Sequence, residues 1–161
     1  MKNGHLSSVI YHLLLIVAPF LLFTGCERPA LYYYQSVAED GWRCTDTLRF
    51  ETDNLNANKT YILRAGVRCN NSYAFQNLWL VVERRVPSEE NHRDTLQLVL
   101  ADEITHDFSS GCIVHEQERT VGTFIVRQSQ QPIELLVYHV MEEQLLKGVE
   151  EVGVQVTLSD E

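Results

Sequence analysis

The sequence lacks most of the patterns by which enzymes are recognised. It has no Gly-x-Ser-x-Gly turn, no His-Glu-x-x-His pair, no glycine-rich phosphate loop and no P-loop lysine. These absences argue against serine hydrolases, zinc peptidases and nucleotide-binding enzymes. No two cysteines have Cys-x-x-Cys spacing, which argues against a thioredoxin-like site and a zinc ribbon. The sequence therefore predicts a protein that is not an enzyme and holds no metal or cofactor.

Positive charge is also scarce. The chain has 13 Lys and Arg against 22 Asp and Glu, a net charge of −9 at pH 7. A surface of this sign is repelled by nucleic acid and by anionic lipid headgroups. Nucleic acid is thus excluded as a partner, and any attachment to a membrane must come from something other than electrostatics.

The longest apolar run, residues 9–23, is too short to cross a membrane as a helix. It would rise about 22 Å, less than the ~30 Å of a bilayer's hydrocarbon core. It follows a short polar start with Lys2 and ends in small residues before Cys26, as a signal peptide does. The segment resembles a bacterial lipobox, in which the cysteine sulfur is joined to diacylglycerol by a thioether bond. We expect residues 1–25 to be removed and Cys26 to carry the lipid; an ordinary secretory cleavage nearby and a signal anchor are the alternatives.

Alternation of apolar and polar residues dominates the remaining chain and predicts β-strands. We expect a lipidated tether at 26–40 and one all-β domain at 41–161. About seven to eight strands joined by short turns favour an antiparallel β-sandwich, Ig-like or jelly-roll-like. Residues 141–151, between the last two expected strands, are the one segment for which a short helix or turn is the alternative to a strand. The expected strands are 45–51, 60–69, 77–84, 95–101, 120–126, 133–141 and 152–158.

Three cysteines remain if Cys26 is lipidated, an odd number for an oxidising compartment. Cys44, Cys69 and Cys112 allow one disulfide with one thiol left over, in three pairings. The alternative is that all three are buried as small apolar residues, as free cysteines commonly are.

Two groups of residues are candidates for binding. His106, Asp107, Cys112 and His115 carry donors that zinc accepts, but their spacing matches no established metal site, so we predict none. Aromatic residues are the second group, because exposed rings stack on sugars or anchor partner proteins. Trp42 and Trp79 are expected in the core. The run Tyr32, Tyr33 and Tyr34 precedes the first expected strand and is the predicted partner-contact surface.

Several short stretches of the chain carry a pattern by their order and spacing. They are Gly41-Trp42, Asp46-Thr47-Leu48-Arg49-Phe50, Arg68 with Tyr73, Asn77-Leu78-Trp79-Leu80, Asp94-Thr95-Leu96, Leu100-Ala101-Asp102, and Met141 with Leu146, Gly148 and Val152-Gly153-Val154. Together they resemble the gliding-motility lipoprotein H family of Bacteroidetes, over roughly residues 26–158. The central loop departs from the family pattern, since 104–112 has only Gly111 where the family has a Gly/Trp-rich segment.

The resemblance implies a membrane-anchored, non-enzymatic structural or assembly component of the gliding and type IX secretion machinery. Its implied partners are other envelope proteins. The residues after Cys26 lack the Lys-acidic run that sends such lipoproteins to the cell surface, which favours the outer membrane and a periplasm-facing position. Thr47 and Thr95 lie in Asp-Thr-Leu patterns that resemble O-glycosylation acceptors. The alternative function, suggested by the aromatic residues, is an envelope lipoprotein that binds a glycan or another ligand.

Overall fold

The structure, a computed structural model, describes residues 29–53, 55–87, 89–100 and 115–159. Within these ranges the regular structure is all β, and no helix is long and apolar enough to cross a bilayer. The strands are β1 (Leu31–Ser36), β2 (Trp42–Arg43), β3 (Leu48–Thr52), β4 (Thr60–Cys69), β5 (Asn77–Arg85), β6 (His92–Val99), β7 (His115–Ile125), β8 (Ile133–His139), β9 (Leu145–Leu146) and β10 (Val149–Leu158).

Two four-stranded antiparallel sheets make up a β-sandwich. Sheet I has the order β1-β10-β4-β7 and sheet II the order β3-β8-β5-β6, while β2 and β9 form a two-stranded ribbon. The pairing is nested: β1 pairs with β10, β2 with β9, β3 with β8, β4 with β7, and β5 with β6. The chain is thus one long antiparallel hairpin rolled into two sheets, which is jelly-roll connectivity. The predicted all-β sandwich is confirmed.

The core lies between the two sheets and follows the alternation of the strands. On β4, Tyr61, Leu63, Ala65 and Val67 are buried, and their neighbours on the other side of the strand include Arg64. Burying each large apolar side chain contributes roughly 1.5–3 kcal/mol. The opposite sheet and β10 fill the rest of the core through Leu78, Leu80, Val82, Leu135, Val137, Val152, Val154 and Val156.

The sequence prediction missed three strands, which are β1, β2 and β9. Residues 31–36 were assigned to the tether, but they form β1 and pair with β10 along their whole length. The folded domain therefore includes Leu31–Ser36, ahead of the expected boundary at residue 41. The segment 141–151 contains the short β9 and the start of β10 where a helix was the rival prediction.

The sandwich has two ends, and the direction of β1 distinguishes them. At the near end, where the chain enters, Leu31 pairs with Val156 and the amide of Ala30 donates to the Val156 carbonyl at 2.8 Å. At the far end, Ser36 pairs with Glu151. The six residues of β1 place the two ends about 20 Å apart.

Glycines fix two tight connections at the far end. Gly41 has φ 124° and Gly148 has φ 81°, both in the region that side chains disfavour. A Cβ at Gly148 would also lie within 2.7 Å of the Tyr73 backbone. Tyr73 in turn donates a 2.8 Å hydrogen bond to the Asn77 carbonyl, which joins the 70–76 connection to the start of β5. The glycines of two family-like stretches, Gly41 and Gly148, are thus required by the backbone geometry at these turns.

Candidate contact surfaces

An open cleft with two exposed aromatic side chains in its lining lies at the far end of sheet II. The far-end cleft has a volume of about 500 Å³ and is lined by Phe75, Trp79, Val140, Met141, Glu142 and Glu143. Trp79 is 40% exposed and Phe75 36% exposed. The Tyr73 ring meets Phe75 edge-on, with 5.6 Å between centroids, and so supports one wall.

The exposure of Trp79 corrects the prediction that both tryptophans lie in the core. Trp42 is fully buried as expected, and its indole N–H donates to the Asp46 carbonyl at 3.0 Å. Trp79 instead lies between the buried Leu78 and Leu80 on the outer face of β5. Strict alternation around those two leucines was the available signal, but the continuous apolar run 78–82 concealed it.

The cleft belongs to a larger apolar patch on the outer face of sheet II. Val140 is 48% exposed, and its amide pairs with the Trp79 carbonyl at 3.0 Å. Val99 is 46% exposed and lies at the same end of the sheet, because β6 pairs it with Asn77. Exposed large apolar residues gathered in one place usually mark an interaction site.

The other half of the same outer face is built from ion pairs. Glu83 is only 4% exposed, and its carboxylate accepts hydrogen bonds from Arg85 at 2.6 Å and from Arg93 at 2.8 Å. The hydrogen bonds from these two guanidinium groups hold the pKa of Glu83 below its ordinary value. Arg85 also reaches Glu134, at 3.6 Å. This half of sheet II is a closed network of charges.

The outer face of sheet I carries a second aromatic group, the tyrosine cluster of Tyr32, Tyr34, Arg68, Glu116 and Glu151. Both tyrosine hydroxyls donate to the Glu116 carboxylate, at 3.3 and 3.2 Å. Arg68 bonds Glu116 at 3.0 Å and Glu151 at 2.6 Å, and its guanidinium lies 4.2 Å from the centroid of the Tyr34 ring. Burial, followed by the charge of Glu116, raises the pKa of Tyr34.

The ring of Tyr34 lies directly over two glycines of neighbouring strands. A Cβ at Gly153 would be 2.5 Å from this ring, and a Cβ at Gly66 would also collide with it. Gly153 pairs with Tyr34 across β1 and β10, and Gly66 pairs with Gly153 across β10 and β4. The absence of side chains at both positions lets Tyr34 cover three strands and attach β1 to its sheet.

The predicted tyrosine surface is divided by the alternation of β1. Tyr32 and Tyr34 point to the outer face, whereas Tyr33 makes an edge-on contact with Phe50 of β3, with 6.3 Å between ring centroids. Tyr32 is 48% exposed and Tyr33 56% exposed. Both can meet a partner, but on different sides of the strand. That the tyrosines do so remains a prediction.

Three residues, Cys26, Thr47 and Thr95, are predicted modification sites. Cys26 lies outside the described residues, and the expected lipid attachment stays a prediction. Thr47 is exposed just before β3, and Thr95 is exposed on β6. Both hydroxyls are therefore accessible, and glycosylation of either also stays a prediction.

Two of the three remaining cysteines are described, and they are not joined to one another. Cys69 is buried at the end of β4, while Cys44 is exposed in the turn after β2. Burial, with a smaller effect from Glu150, raises the pKa of the Cys69 thiol to about 12, so that thiol is protonated at neutral pH. The interpretation that all three are buried is wrong for Cys44. Cys112 lies outside the described residues.

The predicted absence of a metal centre stays a prediction. His106, Asp107 and Cys112 lie outside the described residues, and His115 begins β7 with a side chain that is not described. Across 29–53, 55–87, 89–100 and 115–159, no three His, Cys, Asp or Glu side chains are grouped as metal ligands.

One buried histidine, His139, packs against Trp42 in the core. His139 is 2% exposed on the inner face of β8, next to Val140 in the chain. Its Nε2 lies 3.2 Å from the Trp42 carbonyl, and its ring meets the Trp42 ring edge-on at 5.1 Å. Its Nδ1 has no hydrogen-bond partner in the described part of the chain. Burial lowers the pKa of this imidazole, against smaller opposing effects of the Trp42 carbonyl and Asp46.

A second open cleft at the far end, of about 750 Å³, has a mixed polar and apolar lining. Its polar lining residues are in the connections that follow β1, β4 and β9 and at the start of β10. They include Glu39, Asp40, Asn70, Lys147 and Glu150. The Asn70 side chain donates to Glu150 at 2.9 Å, and Asp40 pairs with Arg43. Much of the polar capacity of this cleft is thus used within the fold.

These features define a jelly-roll domain that presents aromatic surfaces at its two sheets. A scan against family models matches residues 31–156 to the family described as GldH lipoprotein. The match covers most of the chain, so the protein belongs to the GldH lipoprotein family. The predicted family is confirmed, and membership supports a membrane-anchored location in the cell envelope.

Two curated relatives are similar to part of this chain. A gliding motility lipoprotein GldH homolog of Christiangramia forsetii is 31% identical over 88 residues, which are 54% of this chain and 53% of the relative. The gliding motility lipoprotein GldH of Flavobacterium johnsoniae is 33% identical over 89 residues, 55% of each chain. The alignments span about half the length of these relatives. Their names support a gliding-motility lipoprotein.

Among solved structures, a tumour necrosis factor, Eiger of S. frugiperda, is similar at a TM-score of 0.35 and 12% identity. The similarity covers 83% of this chain and 96% of that one. At this TM-score the likeness carries no argument about fold or function.

Proposed function

We propose that this protein is a lipid-anchored, non-enzymatic assembly component of the gliding-motility and secretion machinery of a bacterial envelope. The observation that carries the proposal is the gathering of exposed apolar side chains at one end of sheet II. These side chains, here called the far-end patch, are Phe75, Trp79, Val99 and Val140, and all are at least 36% exposed. A domain that displays such a patch at one end of a sheet is suited to holding another protein. The assignment to gliding motility rests on the names of its relatives.

The anchor in this proposal is Cys26, in the outer membrane and facing the periplasm. Only residues 27–30 separate Cys26 from β1, and four residues span at most about 14 Å. The near end of the sandwich is then held close to the bilayer. The far-end patch lies about 20 Å further out, because β1 leads away from the anchor.

This arrangement provides contact surfaces for partners at two distances from the membrane. Tyr32 and Tyr33 are exposed on the edge strand β1 near the membrane, and the far-end patch is exposed away from it. Aromatic side chains at both places supply large contact areas at a low cost in conformational entropy. An assembly component needs more than one such surface to join two partners.

A non-enzymatic role is supported by how the fold uses its reactive side chains. The Cys69 thiol is buried, with its pKa raised to about 12. His139 is buried against Trp42. Glu83 is held between two arginines. Each of these groups is committed to the structure, whereas a catalytic group must meet a substrate.

In-cell crosslinking tests the proposal, with the motility and secretion of a deletion strain as readouts. We expect the wild-type chain to restore both and to enter a crosslinked envelope complex. Cys26→Ser should release a folded, soluble protein that restores neither. Crosslinked membranes that contain only the monomer, or a soluble Cys26→Ser variant that restores motility, would refute the proposal.

A second function, binding of a glycan or another small ligand, is favoured by one observation. Trp79 is exposed beside Phe75, and Glu142 and Glu143 lie at the same cleft. Aromatic rings with nearby carboxylates suit a sugar ring and its hydroxyls. Titration of the mature protein with oligosaccharides, followed by tryptophan fluorescence, tests this function. An emission spectrum unchanged at millimolar sugar would exclude it for the sugars used.

A further inference from the structure

The far-end cleft combines apolar walls with carboxylates that have no cationic partner in the described residues. Phe75, Trp79, Val140 and Met141 form the walls. Glu142 and Glu143 are exposed, and neither forms an ion pair with any side chain in the described ranges. Among the described residues, no lysine or arginine lines the cleft.

This lack of compensation differs from the treatment of three carboxylates on the outer faces of the sheets. Glu83 is paired with Arg85 and Arg93, and Glu116 and Glu151 share Arg68. The protein therefore has arginines and uses them on its sheet faces. At the cleft it leaves two adjacent negative charges beside an exposed indole.

Trp79 is presented by a rigid part of the sheet. Its carbonyl accepts a hydrogen bond from the Val140 amide at 3.0 Å, and its amide lies 3.4 Å from the Met141 sulfur. On the other side, β6 pairs Gln97 with it. A ring held on a paired strand loses little freedom when a partner binds, so more of the contact energy appears as affinity.

We infer that the far-end cleft binds a lysine- or arginine-bearing apolar segment of another envelope protein. The cation lies over the face of Trp79 and next to Glu142 and Glu143, and the apolar neighbours of that cation cover Val140 and Met141. Both an indole face and a carboxylate attract such a cation. The inference rests on the proposed assembly function and names the chemistry of its partner.

Charge and shape favour this occupant over a neutral sugar. A sugar would leave the repulsion between the two carboxylates uncompensated, whereas a cation relieves it. The patch also continues to Val99, an aliphatic side chain 46% exposed, which suits aliphatic partner groups better than sugar hydroxyls. The net charge of −9 steers a basic segment toward the protein at low salt.

The two tryptophans allow a direct test on the full mature lipoprotein in uncharged detergent micelles. Because the chain has only Trp42 and Trp79, its nitrogen–proton spectrum contains two indole signals. The probes are the peptide Leu-Arg-Leu-Arg-Leu with blocked ends, its glutamate counterpart Leu-Glu-Leu-Glu-Leu, and maltotriose. We expect the arginine peptide alone to shift the Trp79 signal, while the signal of buried Trp42 stays in place.

Charge reversal provides the matched variants. Glu142→Lys with Glu143→Lys should weaken binding of the arginine peptide at least about tenfold and create binding of the glutamate peptide. Asp53→Lys with Glu90→Lys changes the net charge equally at two exposed positions away from the cleft, and it should weaken binding less than about threefold. Near-UV circular dichroism verifies that each variant is folded.

The outcomes separate this inference from the proposed function. Maltotriose shifting Trp79 while the arginine peptide does not would overturn the inference in favour of a sugar site. Equal loss of binding in the cleft and control variants would overturn it in favour of nonspecific charge attraction. If no probe binds but Trp79→Ala still abolishes the crosslinked envelope complex, the inference fails and the assembly function stands. Failure of the complex in wild-type cells refutes the assembly function itself.

Discussion

The two sheets of the sandwich use aromatic residues on their outer faces in opposite ways. On sheet I, Tyr34 lies over Gly66 and Gly153, and its hydroxyl is bonded to Glu116. On sheet II, Trp79 lies among apolar neighbours and is 40% exposed. The neighbours decide the role: glycines and charged partners attach the first ring to the fold, while the second remains free for contact. An exposed aromatic side chain is therefore evidence of a binding surface only after its own contacts have been examined.

The largest expected effect tests whether Tyr34 holds sheet I together. Gly153→Ala places a Cβ 2.5 Å from the Tyr34 ring and displaces it, so we expect a loss of about 2 kcal/mol in the free energy of unfolding. Gly122→Ala is the control, because nothing lies within 4 Å of a Cβ at that position. Urea unfolding measures both. Equal stability of the two variants would show that Tyr34 does not lie over the glycine.

The pH dependence of stability tests the burial of His139 on the inner face of sheet II. The pKa of buried His139 is lowered, so the unfolded chain binds this proton at a higher pH than the folded chain. Stability should therefore fall as the pH drops below about 6.5, with a slope of at most about 1.4 kcal/mol per pH unit from this group.

Unfolding by urea at pH 7.5 and pH 5.5 measures this loss, and His139→Leu is the matched variant. We expect the variant to lose much less stability between the two pH values, because a leucine has no proton to bind. Identical pH dependence in both proteins would place the titrating group elsewhere.

A smaller effect is expected when the tyrosine hydroxyl is removed. Tyr34→Phe keeps the ring over the glycines and loses only the 3.2 Å hydrogen bond to Glu116. We expect a decrease of about 1 kcal/mol in the free energy of unfolding. The double variant Tyr34→Phe with Glu116→Gln should lose less than the sum of the two single variants. Full additivity would mean that this hydrogen bond contributes nothing.

The smallest effect on stability is expected at the contact surface. Trp79→Ala should change the free energy of unfolding by less than about 1 kcal/mol, because the ring is partly exposed. The same variant should abolish the crosslinked envelope complex. Ile125→Ala, at a 62% exposed position of sheet I, serves as the matched control and should preserve it. A Trp79→Ala protein that unfolds in the absence of urea would make Trp79 a structural residue like Tyr34.

Strand positions with clean alternation were the part of the fold most readily predicted. Residues 60–69 and 152–158 alternate, and they lie in β4 and β10 with the expected sides buried. The two-residue strands β2 and β9 have no period to detect. β1 was missed because its three consecutive tyrosines hide the alternation. The nested pairing depends on contacts between distant parts of the chain, such as β1 with β10, which local patterns do not contain.

The site was less predictable than the fold for a related reason. Trp79 was identified as notable but was placed in the core, because its strand is apolar on both sides from Leu80 to Val82. The cleft itself joins Phe75 and Trp79 to residues 140–143, about sixty positions later in the chain. The three tyrosines were predicted as one contact surface, but their division between two sides depends on β1, a strand that local patterns did not predict.

The course of β1 from the near end to the far end has a mechanical consequence. A lipid at Cys26 would pull on the sandwich at Leu31, while a partner held in the far-end cleft would pull in the opposite direction. The load would then run along β1, across the hydrogen bonds that join its six residues to β10. Such bonds are sheared together instead of being opened one after another. The strand nearest the membrane is thus oriented to resist traction.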